Sequence, residues 1–558
     1  MIIGLDVGGT HTDVVLLGDK GLLRQVKVLT DPADLFSSVL QGLEKITENI
    51  NPAQIRRAVL STTITTNVIV QKQFPKVGMI VSGGPGIDPE LFRTNPYYFS
   101  VTGSIDHRGR EIAPVDPDEI KSLIPVFKQE DIQHVGVVGK FSMRNPSHEF
   151  KIEKILKDSF DRVFLGHTVS GNFNFPRRIE TTYLNTVIYP IHKKFYAAVK
   201  KSLEKKGLMI PIHILKADGG TMSFEASMES PHQTLLSGPA ASVMGAIGFA
   251  PEEDECLVLD IGGTTTDMAI LINRVPLLNP LGITLGNIKT LIRALETRSI
   301  GIGGDSAVRV VDGGLDIGPE RCGPAMAYGG SVPTPTDALF AMGMITDGDT
   351  ARAREGIKVI AAQLGLSLEA AAFDIFDLTC RTILDEAQGM VNFVNSKPVY
   401  TIHEFKEGYQ VKPKKVLVLG GPAPYFVEHL KKLSGFQVDL VPKWQVANAI
   451  GAALARTTCE VILFADTEQG TVLAPGEGYS GTVNGNFLKT DAVKKAFELL
   501  RKKALQQGAD AEDLEVEIIE EQQFNMIRGF STTGRNIRVK VQVKPGLIHG
   551  YESCIGTL

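Results

Sequence analysis

Short apolar runs alternate with stretches of helical spacing over the first 140 residues of the chain. Runs typical of strands lie at residues 58–63, 76–82 and 135–140, whereas residues 32–49 and 117–128 repeat their apolar side chains with the period of a helix. Regular alternation of strand and helix predicts an α/β lobe at the start of the chain.

Two further helices are predicted from runs of small and apolar residues, at 237–248 and 446–455. Small side chains let helices pack closely, as two connectors that cross between lobes require, although tight packing inside an ordinary core is the alternative. A long helix is predicted at 178–205, which Pro190 should kink or split. Residues 301–335 predict a long loop rich in glycine and proline, and loops of this length are more often functional than idle.

Two segments of the chain have nearly the same sequence: LDVGGTHTDVVLL at residues 5–17 and LDIGGTTTDMAIL at residues 259–271. Each places an aspartate at the end of an apolar run, then a Gly-Gly-Thr turn and a second apolar run, which predicts a hairpin. Glycine lets the turn approach a phosphate, and exposed N–H groups make an anion-binding concavity. Asp6 and Asp260 would hold Mg²⁺ through its waters. Two such hairpins predict paired lobes that grip one nucleotide.

Bulk composition restricts the class of protein. A chain of 558 residues is too long for a single core, and its net charge of −5 gives no bulk attraction to nucleic acid or to anionic membranes. Five cysteines without a CxxC pair fit a reduced cytosol better than a disulfide framework. The apolar run that begins at Ile2 leaves no room for a signal segment, and no uninterrupted apolar stretch would span a bilayer. We therefore expect a soluble, cytoplasmic protein.

The order of these motifs resembles the superfamily of actin, sugar kinases and heat-shock ATPases. A phosphate hairpin, a small-residue helix and the second hairpin are followed by the Gly-Gly-Pro segment at 419–424 and the second small-residue helix. Within that superfamily, residues 1–455 resemble the A-type large subunits of the hydantoinase/oxoprolinase family. The segments that carry this resemblance are Asn145-Pro-Ser-His-Glu149, Arg178 with Asn185 and Pro190, Asp218-Gly-Gly220, Ser237-Gly-Pro-Ala240 and Pro333-Thr-Pro-Thr-Asp337.

This resemblance implies a two-lobed, actin-like ATPase fold with duplicated ribonuclease H-like lobes and a C-terminal α+β accessory domain. The domains are expected at residues 1–180 for the first lobe, 181–458 for the second ATPase region and 459–558 for the accessory domain. ATP-dependent opening of a cyclic amide, such as a hydantoin or 5-oxoproline, is the implied activity, with ATP and Mg²⁺ as cofactors. A separate B-type subunit is an expected partner, and formation of a homo-oligomer is left as an open question.

Phosphoryl transfer requires the protein mainly to position groups and neutralise charge. The predicted nucleotide-binding residues are Gly8, Gly9, Thr10 and Thr12 in the first hairpin, Gly262, Gly263, Thr264 and Thr265 in the second, and Gly420 and Gly421 beside the adenosine. Asp6 and Asp260 are the predicted metal ligands, and Asp13, Asp260 and Asp267 the predicted catalytic residues. For Asp13 and Asp267 the alternative is a carboxylate that closes its hairpin through backbone N–H groups.

Departures from the family pattern leave the substrate open. The family has a Gly-Gly-Gly-Ser loop preceded by a histidine, whereas this chain has Asp305 within the loop and Arg298 at the histidine position. Arg298, Asp305 and Asp337 are the substrate candidates because they lie in or beside glycine-rich loops, although surface loop residues would show the same pattern. For His148 and Glu149, helix capping is the favoured interpretation.

Three other functions stay open at this point: a subunit of an ATP-dependent ketone carboxylase, a small-molecule kinase, and a chaperone-like regulatory ATPase. The chain has no GxxxxGK[ST] motif, which excludes the P-loop class, and no HxH or HExxH motif of a zinc site.

Overall fold

The structure is a computed structural model that describes residues 1–8, 11–31, 34–62, 74–205, 207–279, 281–396, 410–550 and 552–555. The strands, β1 to β27 in chain order, are Ile2–Val7, His11–Gly18, Gly21–Leu29, Arg57–Thr62, Gly78–Ser82, Tyr98–Ser100, Ser104–Ile105, Glu111–Ala113, His134–Gly139, Arg162–Leu165, Ile212–Leu215, Thr221–Ser223, Glu255–Ile261, Thr266–Ile272, Val275–Pro276, Thr284–Leu285, Ile288–Lys289, Thr297–Ile300, Val308–Val311, Gly314–Ile317, Lys415–Leu419, Gln437–Leu440, Glu460–Asp466, Thr471–Ala474, Tyr479–Thr482, Val516–Arg528 and Ser531–Val543.

The α-helices, α1 to α14 in chain order, are Leu35–Thr47, Pro117–Gln129, Ser147–Leu156, Gly166–Val169, Phe175–Lys205, Phe224–Ser227, Ser237–Ile247, Pro335–Ala341, Thr350–Leu364, Leu368–Ser396, Ala423–Ser434, Ala447–Leu454, Lys489–Gln506 and Glu552–Ile555. Helix α5 is continuous through Pro190, so the expected split does not occur. No single helix of the described residues has the length and apolar character of a membrane span; only α9 and α10 taken together, across a bend of 91°, reach that composition.

Two sheets share one topology. In the first, the strand order is β12-β11-β4-β1-β2-β3, with β1 antiparallel to β2 and parallel to β4. In the second, the order is β15-β14-β13-β21-β22, with β13 antiparallel to β14 and parallel to β21. Each hairpin therefore supplies the centre of its own sheet. This duplication confirms the predicted two-lobed fold with ribonuclease H-like lobes.

Both lobes contain inserted secondary-structure elements. The first lobe carries a four-stranded parallel sheet, β10-β9-β5-β6, and the second carries the helices α8, α9 and α10. The segment predicted as a long loop contains the antiparallel hairpin of β19 and β20, which its alternating pattern of valines and charged residues explains. The first sheet takes its last strand from Thr221–Ser223, so it continues beyond the expected boundary at residue 180.

The two small-residue helices, α7 and α12, pack against each other between the sheets. A Cβ on Gly451 would lie 2.2 Å from the backbone nitrogen of Gly245, and a Cβ on Gly245 would lie 2.3 Å from the carbonyl oxygen of Ala447. Val15 of the first sheet and Leu417 of the second belong to the same buried cluster as both helices. The small residues thus let two backbones meet where the lobes join.

The C-terminal part forms a separate antiparallel sheet, β25-β24-β23-β27-β26, covered on one face by α13. The chain then returns to the joint between the lobes, where Leu547, Ile548 and Ile555 pack into the cluster that contains α7 and α12. The sheet and its helix form an α+β unit with its own core, whereas residues 547–555 pack against the lobes.

Candidate nucleotide and metal site

The aspartates of the two hairpins occupy equivalent positions. Asp6 lies opposite Asp13 in the β1–β2 ladder, and Asp260 lies opposite Asp267 in the β13–β14 ladder. Directly opposed residues project to the same face of a sheet, so each hairpin presents a pair of carboxylates beside its glycine turn.

Asp6 and Asp260 approach each other although they come from different lobes. Nδ2 of Asn448, on α12, donates to Asp260 Oδ2 at 3.1 Å, and the same side chain lies close enough to Asp6 to lower its pKa. Ser242, on α7, donates a second hydrogen bond to Asp260 Oδ2. The helices at the joint therefore bring the two carboxylates into one site.

Electrostatics in this site favour protonation or a bound cation. Burial raises the pKa of Asp6 to about 7, with the charges of Asp13 and Asp260 adding to the rise and the polar side chains of Ser61 and Asn448 opposing it. Burial also raises the pKa of Asp260, against the hydrogen bonds of Ser242 and Asn448. Carboxylates held together by burial gain most when a positive charge joins them.

Asp13 and Asp267, the second aspartate of each hairpin, have different electrostatic surroundings. Burial raises the pKa of Asp13, but the ammonium of Lys27, 3.1 Å away, opposes the rise. Burial and the charge of Asp260 raise the pKa of Asp267 to about 7, opposed only by a hydrogen bond from Ser299. Asp267 is therefore the better proton acceptor near neutral pH.

The described residues at the base of each glycine turn form equivalent backbone hydrogen bonds. The N–H of Gly8 donates to the carbonyl of His11 at 3.0 Å, and the N–H of Gly262 donates to the carbonyl of Thr265 at 2.9 Å. Gly9 and Thr10, predicted to bind phosphate, lie outside the described residues.

The predicted threonines have different environments. Thr264 is exposed at the tip of the second turn and Thr265 is half-buried. The hydroxyl of Thr12, by contrast, is buried and lies 3.0 Å from that of Thr30, so it faces the lobe interior instead of a phosphate at the turn.

The loop at Gly303–Asp305 packs onto the second turn. The N–H of Gly304 donates to the carbonyl of Gly262 at 2.9 Å, and the N–H of Asp305 donates to the carbonyl of Gly263 at 2.6 Å. A Cβ on Gly263 would lie 2.8 Å from Asp305 Oδ2, and Arg321 pairs with that same oxygen at 2.9 Å. Asp305 is thus brought to the turn, as a substrate candidate should be.

The Gly420-Gly421 segment follows β21 and reaches the same place. Gly420 has a φ of +99°, and a Cβ there would lie 2.5 Å from Asp260 Oδ1, so only glycine fits. Within 4 Å of a Cβ built on Gly421 there is open space. This turn borders the site and leaves room on its outer side for a ligand.

The other two substrate candidates lie elsewhere. Arg298 is opposite Met268 on the sheet, on the face away from Asp267, and its guanidinium pairs with Glu386. Asp337 is fully buried and closes a capping box with Thr334, while its oxygens accept from the N–H groups of Met326 and Ala327 at 3.0 and 2.8 Å. Burial and the capping box contradict a substrate role for Asp337, whereas Arg298, whose side chain is 42% exposed, stays a prediction.

Sequence reasoning missed four polar residues around the carboxylates: Ser61, Ser242, Ser299 and Asn448. One signal was present for Asn448, since it is the single polar side chain in the predicted helix at 446–455. A polar residue that interrupts a buried apolar helix needs a partner, and here the partners are the two aspartates.

The oxygen-rich donor set suits a hard cation such as Mg²⁺. Among the described residues, however, no three His, Cys, Asp or Glu side chains are close enough to enclose a metal ion. Asp6 and Asp260 thus fit an ion that keeps most of its water and is held by few protein groups.

Comparison with known proteins identifies the family of this chain. The family model described as the hydantoinase/oxoprolinase N-terminal region matches residues 2–160, and the hydantoinase/oxoprolinase model matches residues 178–461. The chain belongs to the hydantoinase/oxoprolinase family. The predicted resemblance is therefore confirmed.

Individual relatives are distant. The chain is 25% identical to the alpha subunit of the caprolactamase of Pseudomonas jessenii, over 79% of this chain and 68% of that protein. It is 24% identical to the acetophenone carboxylase gamma subunit of Aromatoleum aromaticum, over 94% of this chain and 77% of the other. The crystal structure of the ATP-dependent caprolactamase from Pseudomonas jessenii superposes with a TM-score of 0.73 at 20% identity, covering 99% of this chain and 88% of that one. The superposition shows a shared fold.

Proposed function

We propose that this protein is an ATP-dependent amidohydrolase that opens a cyclic amide. The observation that carries this proposal is the contact of Asp6 and Asp260 with Asn448, because it brings one carboxylate from each glycine hairpin into a single site. Membership of the hydantoinase/oxoprolinase family and likeness to one chain of a caprolactamase support the substrate class.

In the proposed complex, the N–H groups of the two glycine turns bind the phosphates of ATP from both lobes. Asp6 and Asp260 would hold a hydrated Mg²⁺, whose charge neutralises the phosphates and favours the ionised form of both carboxylates. Gly420 and Gly421 lie against the nucleoside side of the site.

Activation by phosphorylation explains why such a reaction needs ATP. Resonance makes an amide carbonyl a poor electrophile, so its oxygen first attacks the γ-phosphorus and ADP leaves. Water then adds to the carbon of the resulting imidate phosphate, and the ring C–N bond breaks to give an amine and an acyl phosphate. A second water releases phosphate, so that one lactam, one ATP and two waters give one amino acid, ADP and phosphate.

Asp267 is the residue that we assign to proton transfer. Its pKa of about 7 allows it to accept the amide or water proton near neutral pH and to return it to the leaving amine. Asp305, at the second turn, is the candidate for contact with the substrate.

A ketone carboxylase subunit is the second candidate, because the similarity to the acetophenone carboxylase gamma subunit extends over 94% of this chain. Such a function would phosphorylate an enolate oxygen at the same site and would need a separate carboxylating partner. Both relatives are named as subunits, so a B-type partner is part of the proposal.

A coupled ADP-release assay separates these functions. The purified chain is screened with hydantoin, 5-oxoproline, caprolactam and acetophenone, each with and without bicarbonate and a co-expressed B-type partner. We expect ADP and free phosphate with a lactam; ADP release only with ketone and bicarbonate would favour the carboxylase. A stable phosphoester product would indicate a kinase, and ATPase activity that responds to none of these compounds would contradict both candidates.

A further inference from the structure

A cavity of about 750 Å³ lies between the parallel-sheet insertion of the first lobe and the C-terminal sheet. One wall comes from the Asn145–Phe150 segment and His167, and the other from Phe464, Asp466 and Tyr479. Asp6, Asp260, the glycine turns and the Gly303–Asp305 loop are not among its lining residues. The volume of this cavity and its mixture of aromatic and polar walls are typical of a small-molecule site.

Arg144 supplies a positive charge to this cavity. Its guanidinium packs over the rings of Phe173 and Phe464, at 4.9 and 5.2 Å from their centroids. Within the described residues the guanidinium makes no hydrogen bond, and no carboxylate lies within ion-pair distance of it. Burial lowers the pKa of Arg144, with Arg538 adding to the fall and Asp466 opposing it. The ring contacts fix its position while its N–H groups stay free to bind a carboxylate, which matches a guanidinium in shape.

The other arginines of the cavity are already paired. Arg108 and Arg528 both bind Glu468, and Arg528 does so through two hydrogen bonds of 2.9 and 3.2 Å. Asp466 accepts hydrogen bonds from the backbone N–H groups of Glu468 and Gln469, which directs it to a turn. Arg144 is therefore the lining arginine whose charge is available to a ligand.

His167 adds an orientated imidazole to the wall. Its Nδ1 is hydrogen-bonded to Glu149, and its backbone N–H donates to the same carboxylate oxygen at 3.0 Å. Both side chains are fully buried, and Nε2 of His167 has no hydrogen-bond partner among the described residues. Burial alone would raise the pKa of Glu149, but His167, Arg178 and the N–H of Gly139 outweigh it and hold that pKa below its ordinary value. An ionised Glu149 therefore fixes the ring in this wall of the cavity.

The Asn145–Glu149 segment builds this wall. Asn145 Nδ2 donates to the carbonyl of Gly109 at 2.8 Å, and His148 lies 3.0 Å from Glu111. Helix α3 has no side-chain cap, so the interpretation of His148 and Glu149 as capping residues was wrong. The segment instead holds a loop and orients His167.

We infer that this cavity binds a small organic carboxylate with an apolar body, whose carboxylate pairs with Arg144 and whose body lies against the aromatic walls. The C-terminal sheet thereby acquires a role, because Phe464 and Tyr479 close the site that the first lobe begins. This binding site is separate from the nucleotide site and does not depend on the reaction proposed above.

Calorimetric titration of the full chain, without nucleotide, tests the inference. The probes are butyrate, hexanoate, octanoate, benzoate and phenylacetate, each compared with its own primary amide. We expect at least one carboxylate to bind about tenfold more tightly than its amide, the effect of one charge-assisted pair of about 1.4 kcal/mol. R144Q should abolish this preference, whereas R528Q, the matched control, should leave it unchanged.

Hydrogen exchange on the unmodified protein gives a second measurement that does not rely on the fold of a variant. Saturation with the best carboxylate should slow exchange in residues 144–150 and 464–480 and leave residues 259–271 unaffected. The inference is overturned if no carboxylate exceeds its amide, if the preference survives R144Q, or if protection falls on the nucleotide site.

Discussion

The two glycine hairpins have nearly the same sequence and the same strand pairing, yet they differ in their surroundings. The first presents Asp13 next to Lys27, whose ammonium compensates the carboxylate at 3.1 Å. The second presents Asp267 without a neighbouring cation among the described residues, and it alone is packed under the Gly303–Asp305 loop and beside Gly420. Two hairpins with the same motif can therefore differ in chemistry, because the proton affinity of each carboxylate depends on the groups packed around it.

This difference suggests a division of labour. Asp13 has a cation beside it, whereas Asp267, with a pKa of about 7, can gain and lose a proton near neutral pH. Asp6 and Asp260 are shared between them through Asn448. Four predictions test this comparison.

Asp260→Ala should have the largest effect, because it removes a carboxylate on which both hairpins depend. We expect Mg²⁺-dependent ADP release to fall by about a thousandfold or more, measured in the coupled assay. D118A, at a carboxylate that is 88% exposed, is the control and should retain full activity. Unchanged turnover in D260A would remove this residue from the site.

Asp267→Asn should lower kcat by about a hundredfold, against less than about tenfold for Asp13→Asn, as expected if only the second hairpin transfers a proton. In the parent protein, kcat should rise with pH through about 7, because the base acts when ionised, and D267N should lose that rise. Equal losses in the two variants, or an unaltered pH profile in D267N, would contradict the division of labour.

The position of one hairpin relative to the other depends on the contact of α7 with α12. Gly451→Ala places a Cβ against the backbone of Gly245 and should reduce the free energy of unfolding by about 1–3 kcal/mol. G485A, where a Cβ would meet open space, is the control. Thermal melting measures both; a G451A protein as stable as G485A would show that this close packing is not required.

The smallest expected effects are on the free energy of unfolding, measured in the presence of a chelator and without nucleotide. A raised pKa means that folded Asp267 keeps its proton between about pH 4 and 7 while the unfolded chain releases it, so stability falls as pH rises through that window. D267N should therefore be stabilised by about 2 kcal/mol at pH 8 and by little at pH 4. D13N should show no gain, because it also loses the pair with Lys27. Identical pH curves of melting temperature for the two variants would argue against the electrostatic difference.

Local pattern was enough to predict the lobes and both hairpins. Alternating strands and helices, repeated Gly-Gly-Thr turns and small-residue helices are encoded within short windows, and the structure confirms the duplicated fold that they predict. Gly263, Asp260 and Gly420 are likewise brought together because each lies at or just beyond the end of a central strand.

Contacts between residues that lie far apart in the sequence could not be predicted from local pattern. Glu386, which pairs with Arg298, lies far along the chain on α10, and the buried capping role of Asp337 depends on the path of the loop at 326–334. Glycine-rich neighbours suggested a substrate role for both, but burial and pairing decide the use of a charged side chain, and neither can be read from local composition.

Asn448 links the joint between the lobes to the carboxylates of the site. It lies one residue after Ala447, whose carbonyl is in contact with Gly245, and it touches one carboxylate from each half of the molecule. Any hinge motion that parts the halves must stretch or break these amide contacts. Separation of the lobes therefore also separates Asp6 from Asp260.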